Sequence, residues 1–172
     1  MKIPYVDLSY KKKSSIKPLK TIFQKILKKG QFVGGDQVNI FEKKIAKLCN
    51  TKYAVALNSG TDALTLALHL LGVKKGDEVI TPPNSFIAST AVIVHLGAKP
   101  VFVDVLDDQN IDPSKIQKAI TKKTKVIMPV HLSGRMCRMD EIISIAKKNK
   151  VFVIEDAAQS IGSKYVNKMS GS

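Results

Sequence analysis

From about residue 53 to residue 154 the chain alternates short runs rich in valine and isoleucine with segments of helical spacing, and this alternation constrains its fold more than any other feature. Residues 53–57 form a short apolar run, read as a strand that leads into Asn58-Ser59-Gly60-Thr61. Residues 61–71 are helical and closed by Gly72. Residues 78–81 read as a strand, and 86–96 as a helix closed by Gly97. A strand at 100–105 and a helix at 113–120, with proline in its first turn, come next. Residues 126–130 are a strand, 140–148 a helix and 151–154 the last strand. The strands are continuous and rich in valine and isoleucine, as strands buried on both faces of a parallel sheet should be. Repetition of this unit predicts an α/β fold with a mostly parallel sheet and right-handed crossovers. A chain of 172 residues that is 44% hydrophobic can bury such a core.

The first thirty-five residues read differently. An extended piece at 3–8 precedes a lysine-rich amphipathic helix at 15–29, and Gly30 with Gly34-Gly35 breaks the chain. A second helix at 36–48 places Val38, Phe41, Ile45 and Leu48 on one face. The expected organisation is an N-terminal segment, 1–35, followed by a partial large domain, 36–172.

The formal net charge is +14, from 28 lysines and arginines against 14 acids. Only Arg135 and Arg138 are arginine, and the lysines recur in small groups at helix ends and turns along the whole chain. Nucleic-acid binders concentrate both cations on one face and interleave aromatics. The scatter here reads as solvated surface, so no nucleic-acid partner is expected. Cys49 and Cys137 lie far apart without CxxC spacing, which predicts neither a disulfide framework nor a zinc site and fits a reducing compartment. The start of the sequence has no apolar signal-peptide core, and no apolar run approaches the ~20 residues of a membrane span. A cytoplasmic protein without a membrane partner is expected.

Ligands of open parallel sheets gather at the carboxyl ends of the strands. Four clusters fall at such ends: 58–61, 82–86, 131–134 and 155–159. In the first, Gly60 lets backbone approach a ligand, and the amides of Gly60 and Thr61 open a helix whose N-terminus favours an anion such as phosphate. A simple N-cap by Ser59 or Asp62 reads the same residues equally well. GxGxxG and the Walker spacing are both missing. In the last cluster, Asp156 at the end of a buried strand needs a partner, and a protonated ring nitrogen would be one. Gln159 stands one short turn further on, within reach of a ring substituent; an N-cap by Asp156 is the alternative. Phe86 offers a flat ring for stacking, or packs in the core. His131 reads as a structural histidine, and Arg135 as either an anion contact or surface.

Taken together, NSGTDALTLAL, GDEVITPPNSFIASTAVIVHLGAKPVFVDV, NIDPSKIQKAI and VIEDAAQSIGSKY resemble the DegT/DnrJ/StrS family of sugar aminotransferases, and IPYVDL and FVGGDQVNIFEKKIA are similar to that family's N-terminal segment. The resemblance implies a large domain of the aspartate-aminotransferase type (fold type I of the enzymes that use pyridoxal 5′-phosphate). It implies that Gly60 and Thr61 hold the cofactor phosphate, Phe86 stacks on the pyridine ring, Asp156 pairs with the ring nitrogen and Gln159 reaches the 3-oxygen. It implies a homodimer, a nucleotide-linked keto sugar as substrate and glutamate as amine donor, in amino-sugar or polysaccharide biosynthesis. The family's Schiff-base lysine follows the segment that closes this sequence, so none of the lysines here is assigned to catalysis. The chain is therefore expected to lack the covalent anchor and the small domain. A related dehydratase, or a non-catalytic remnant that binds cofactor or a partner subunit, is the alternative.

Overall fold

A computed structural model describes residues 14 and 16–172; the extended piece expected at 3–8 lies outside them. Among the described residues, six α-helices and six strands follow in the order α1 (Ile16–Lys29), α2 (Asp36–Cys49), α3 (Gly60–Leu70), β1 (Glu78–Thr81), α4 (Ile87–His95), β2 (Lys99–Phe102), α5 (Pro113–Ala119), β3 (Thr124–Ile127), α6 (Met139–Asn149), β4 (Phe152–Val153), β5 (Lys164–Tyr165) and β6 (Lys168–Met169), with a 3-10 turn at Leu132–Gly134 between β3 and α6. The chain divides into two compact units inside α2, 1–41 and 42–172. In the first, α1 is an amphipathic helix with lysines at its C-terminal turn.

The second unit is built on a four-stranded, wholly parallel sheet of order β2-β1-β3-β4. Every residue of β1 is buried, the polar Glu78 and Thr81 at its ends as well as Val79 and Ile80, as in a strand covered on both faces. Successive side chains leave the sheet on opposite faces. Val79, Val126 and Met128 pack with Leu68 of α3 and Val92 and Ile93 of α4. Ile80 and Ile127 pack with Ile116 of α5 and Ile142 of α6 on the other face. Fully burying one such side chain contributes ~1.5–3 kcal/mol, so both faces are needed to hold the sheet. α3 and α4 thus cover one face, α5 and α6 the other. The crossover helices change face where strand order reverses, between β1 and β3, and an open α/β sheet leaves a crevice at that point.

Helix boundaries fall within a residue or two of expectation, because the residues that end them are explicit. Gly72 (φ 76°) and Gly97 (φ 74°) adopt the left-handed conformation just after α3 and α4. Asp112 caps α5 through the Ser114 amide, and Pro113 occupies its first turn.

Two features depart from expectation. Residues 53–57 form no strand: Tyr53 and Val55 are 73% and 76% exposed, and the Ala56 amide donates to the Glu42 side chain at 2.8 Å rather than to a ladder. An apolar run becomes a strand only where a neighbour supplies backbone partners, and no strand among the described residues pairs with it. The cluster at 58–61 consequently follows an extended coil. The second departure is the antiparallel hairpin β5–β6, whose two-residue turn places Val166 (φ 44°) and Asn167 (φ 63°) in the left-handed region.

Candidate functional site

At the carboxyl ends of β1 and β3 a cavity of about 210 Å³ opens beside the crevice, lined by Gly60, Thr61, Phe86, Asp156 and Gln159 together with Leu64, Ser85, Ala88, Ser89, Val130 and Ala158. All five residues singled out from the sequence therefore meet in one place, although almost a hundred positions separate the first from the last.

Ser59 is the N-cap of α3: its backbone is extended, its hydroxyl oxygen accepts from the Asp62 amide at 3.1 Å, and its O–H donates to Asp62 Oδ2 at 2.9 Å. The cap reading was correct, and it does not exhaust the helix end. A side-chain cap answers the amide of Asp62, and the Ser59 carbonyl that of Ala63. The amides of Gly60 and Thr61 belong to the first turn, where no intrahelical acceptor exists. Gly60 has no positive φ, and a Cβ built on it would meet nothing within 4 Å. Neither backbone strain nor packing requires glycine there, so what the missing side chain preserves is open access to the helix N-terminus.

Phe86 precedes α4 and is 70% exposed, so core packing does not hold its ring. Asp156 is buried; no helix follows it, so it caps none. Its backbone bridges to Val130, donating to the Pro129 carbonyl at 2.9 Å and accepting from the His131 amide at 3.1 Å. Its carboxylate accepts from the Ser89 hydroxyl at 2.8 Å on Oδ2 and from the Ala158 amide at 3.3 Å on Oδ1. Gln159 Oε1 accepts from the Ser133 amide at 2.6 Å. Because an amide N–H must face an oxygen, the Gln159 NH₂ is left as the donor that the cavity side can use. Ser89 was not singled out from the sequence. Its burial on the sheet-facing side of α4, with Val92 and Ile93, is what obliges its hydroxyl to find a partner.

His131, read as structural, is fully buried. Nδ1 accepts from the Cys137 amide at 3.2 Å, so Nε2 carries the proton, which it donates to Glu155 Oε2 at 2.9 Å. Cys137 is equally enclosed, its thiol pushed up to about 12 by burial, and it is no nucleophile. Arg135 lies outside the cavity on an open groove of about 860 Å³ with Asp108, Arg138 and Lys164. A hollow of about 390 Å³ in the first unit is lined by Ile22, Ile26, Phe32 and Val38 together with Lys25, Lys29 and the exposed Asp36. Both are larger than the crevice cavity, and neither has its convergence of an open helix end, a buried carboxylate and an exposed aromatic ring.

The chain is similar to known proteins along most of its length. The model of the DegT/DnrJ/EryC1/StrS aminotransferase family matches residues 15–172. A pleiotropic regulatory protein of Geobacillus stearothermophilus is 41% identical over 99% of this chain and 46% of its own length. A dTDP-3-amino-3,6-dideoxy-alpha-D-galactopyranose transaminase of Aneurinibacillus thermoaerophilus is 42% identical over 99% of this chain and 47% of its own. Among solved structures, Streptomyces venezuelae DesV superimposes with a TM-score of 0.93 at 36% identity, over 99% of this chain and 46% of that one. The putative sugar aminotransferase Spr1654 of Streptococcus pneumoniae, in its PMP form, gives 0.85 at 35% identity, over 89% and 43%. The chain spans about half the length of the curated relatives it matches.

Proposed function

Because the chain belongs to the DegT/DnrJ/EryC1/StrS aminotransferase family, we propose that it forms the cofactor-binding part of a pyridoxal-phosphate-dependent aminotransferase that converts a nucleotide-linked keto sugar to an amino sugar, with glutamate as donor. The observation that carries this reading is the meeting of Gly60, Thr61, Phe86, Asp156 and Gln159 around one cavity at the strand-order reversal. The fold itself is that of the aminotransferases it superimposes on.

The residues present fit the cofactor. The amides of Gly60 and Thr61, at the positive end of α3, suit a phosphate dianion, and the absent Cβ of Gly60 leaves room for it. Phe86 is free to cover a planar ring. Asp156 holds a carboxylate in a buried setting where a cationic ring nitrogen would be its charge partner, and the Gln159 NH₂ would donate to the ring's 3-oxygen. The bound cofactor supplies an electron sink for the carbanion formed when a proton leaves the carbon next to nitrogen. Asp156 would keep the ring nitrogen protonated; Phe86 would fix the plane of the ring and shield it from water. No lysine among the described residues lines the cavity, so the covalent anchor of the reaction is to be sought elsewhere than in its walls.

Second copies of the chain are the proposed partner. Leu70 and Ile87, on α3 and α4, are 82% and 68% exposed, and such apolar surface is normally covered. No helix among the described residues is long and apolar enough to cross a membrane; we place the protein in the cytoplasm. The test is titration with pyridoxamine 5′-phosphate, which has no aldehyde and does not react with surface lysines, followed by 31P NMR. Reversible binding that is weakened by Asp156→Asn and by Gly60→Ala is expected. Binding indifferent to both substitutions refutes the assignment. Borohydride trapping of pyridoxal phosphate should scatter over many lysines, and the chain alone should not transaminate a keto sugar above the free-cofactor background.

A further inference from the structure

The cavity contains one polar contact that the cofactor assignment does not use. Ser89 is 1% exposed in the first turn of α4, a helix whose other residues are small or apolar apart from Thr90 and His95. A buried serine in a helix has a local option, the carbonyl four residues back. Ser89 does not take it. Its hydroxyl donates instead to Asp156 Oδ2 at 2.8 Å, across 67 positions of sequence, and stands 2.9 Å from the Ser85 hydroxyl. A carboxylate offers no proton, so the Ser89 hydrogen is committed to Asp156 and Ser85 must donate to Ser89. Both serines line the cavity beside Asp156.

We propose that Ser89, backed by Ser85, is a positioning residue that sets the rotation of the Asp156 carboxylate toward the ring nitrogen; the inference rests on the ring-nitrogen reading above. The argument is geometric. Two bonds restrain the carboxylate, and they are unequal: 2.8 Å from Ser89 on Oδ2, 3.3 Å from the Ala158 amide on Oδ1. Bonds to a charged acceptor strengthen as they shorten, so the serine governs and the amide follows. Without Ser89 the carboxylate keeps only its longer restraint and is free to turn about its two side-chain torsions. A contact that depends on direction, such as a carboxylate to a ring N–H, suffers from that freedom. Phosphate binding at Gly60 and Thr61 does not.

The experiment compares two ligands on the whole chain: pyridoxamine 5′-phosphate and its 1-deaza analogue, in which a ring carbon replaces the nitrogen. The ratio of their affinities isolates the ring-nitrogen contact, because phosphate and stacking contributions cancel. The unaltered chain should prefer the natural ligand by about tenfold or more, the worth of a hydrogen bond between charged groups. Asp156→Asn should bring the ratio close to one. Ser89→Ala should lower it about threefold to tenfold, while affinity for the deaza analogue stays within about twofold. Ser85→Ala, which empties a less buried position, should lower the ratio about twofold in the same direction. A ratio that is unchanged or raised by Ser89→Ala, but collapsed by Asp156→Asn, overturns the positioning role and leaves the ring-nitrogen reading standing. Equal affinity of the unaltered chain for both ligands, or no binding of either, overturns that reading and this one with it. Thermal melts of each variant show whether a change in ratio coincides with loss of fold; a ratio altered only in a destabilised variant counts against the proposal.

Discussion

Glu155 and Asp156 are adjacent acids, yet they belong to opposite walls of the molecule. The run that follows β4 keeps the two-residue period of a strand: Val153 packs toward α5 and α6, and Ile154 toward α3 and α4. Glu155 continues on the first side, where it accepts from His131 Nε2 and from the Gly171 amide at 3.1 Å. Asp156 continues on the second, facing Ser89 and the cavity. One carboxylate is used up inside the protein; the other keeps part of its capacity beside a site. A single step along an extended chain decides which acid is scaffold and which is chemistry.

That contrast predicts opposite phenotypes. Glu155→Ala strands the proton of a fully buried histidine, which costs about 1–3 kcal/mol of unfolding free energy, measurable by urea titration. Its affinity ratio for the two pyridoxamine ligands should not move. Asp156→Asn should do the reverse: roughly tenfold to a hundredfold weaker binding of pyridoxamine 5′-phosphate, with the smaller loss of stability. If Glu155→Ala abolished binding while Asp156→Asn did not, the two walls would have to exchange roles.

Gly60 sharpens the same comparison, because nothing in the fold demands it. With no close neighbour and no positive φ, Gly60→Ala should leave stability unchanged or raise it by up to ~1 kcal/mol, since alanine loses less backbone freedom in a helix. Phosphate affinity, read by 31P NMR, should fall about fivefold or more as a methyl group intrudes on the helix end. Phe86→Ala should be smaller still in effect. An exposed ring contributes little to folding, and stacking is worth ~0.5–1.5 kcal/mol, or about twofold to tenfold in binding.

The alternation of strands and helices was legible because each unit of it is local: β1 is a short run centred on Val79 and Ile80, and glycine or proline marks ends of α3, α4 and α5. The site was legible for a related reason. In a parallel sheet, polar residues just after strands collect on one edge, which places positions 86 and 156–159; Gly60 and Thr61 reach the same edge from the start of α3 although no strand precedes them. Three things were hidden, and each depends on something non-local or atypical. Residues 53–57 have the composition of a strand, but a ladder partner cannot be read from composition. The β5–β6 turn is Val166-Asn167, not the Asn-Gly that announces a tight hairpin. Ser89 looked like a helix residue until the position of Asp156 gave its hydroxyl a destination.

The hairpin supplies the smallest expected effect, and it probes the scaffold wall at its periphery. Tyr165 donates its phenolic O–H to Asp140 Oδ1 of α6 at 2.7 Å. That bond favours the ionised carboxylate, holding Asp140 below the usual carboxylate range, and it favours the protonated phenol, raising Tyr165 above the usual tyrosine value. The signs then differ at the two ends of the pH scale. Asp140 contributes stability that is complete above its unfolded pKa and disappears as pH falls through its lower folded value. Tyr165 contributes stability that is complete below its unfolded pKa and disappears as pH rises through its higher folded value. Both groups are at the surface, so solvent screens the bond and the contribution is small. Tyr165→Phe should therefore lower stability slightly at neutral pH and flatten the curve near pH 3–4 and near pH 10. Urea midpoints taken across that range measure it. Binding of pyridoxamine 5′-phosphate at neutral pH should not respond, since Asp140 and Tyr165 stand on the Glu155 wall. A change in affinity in Tyr165→Phe would show that the hairpin is coupled to the cavity through Gly134, whose carbonyl accepts from Ser163 at 2.6 Å and which lies against Gln159.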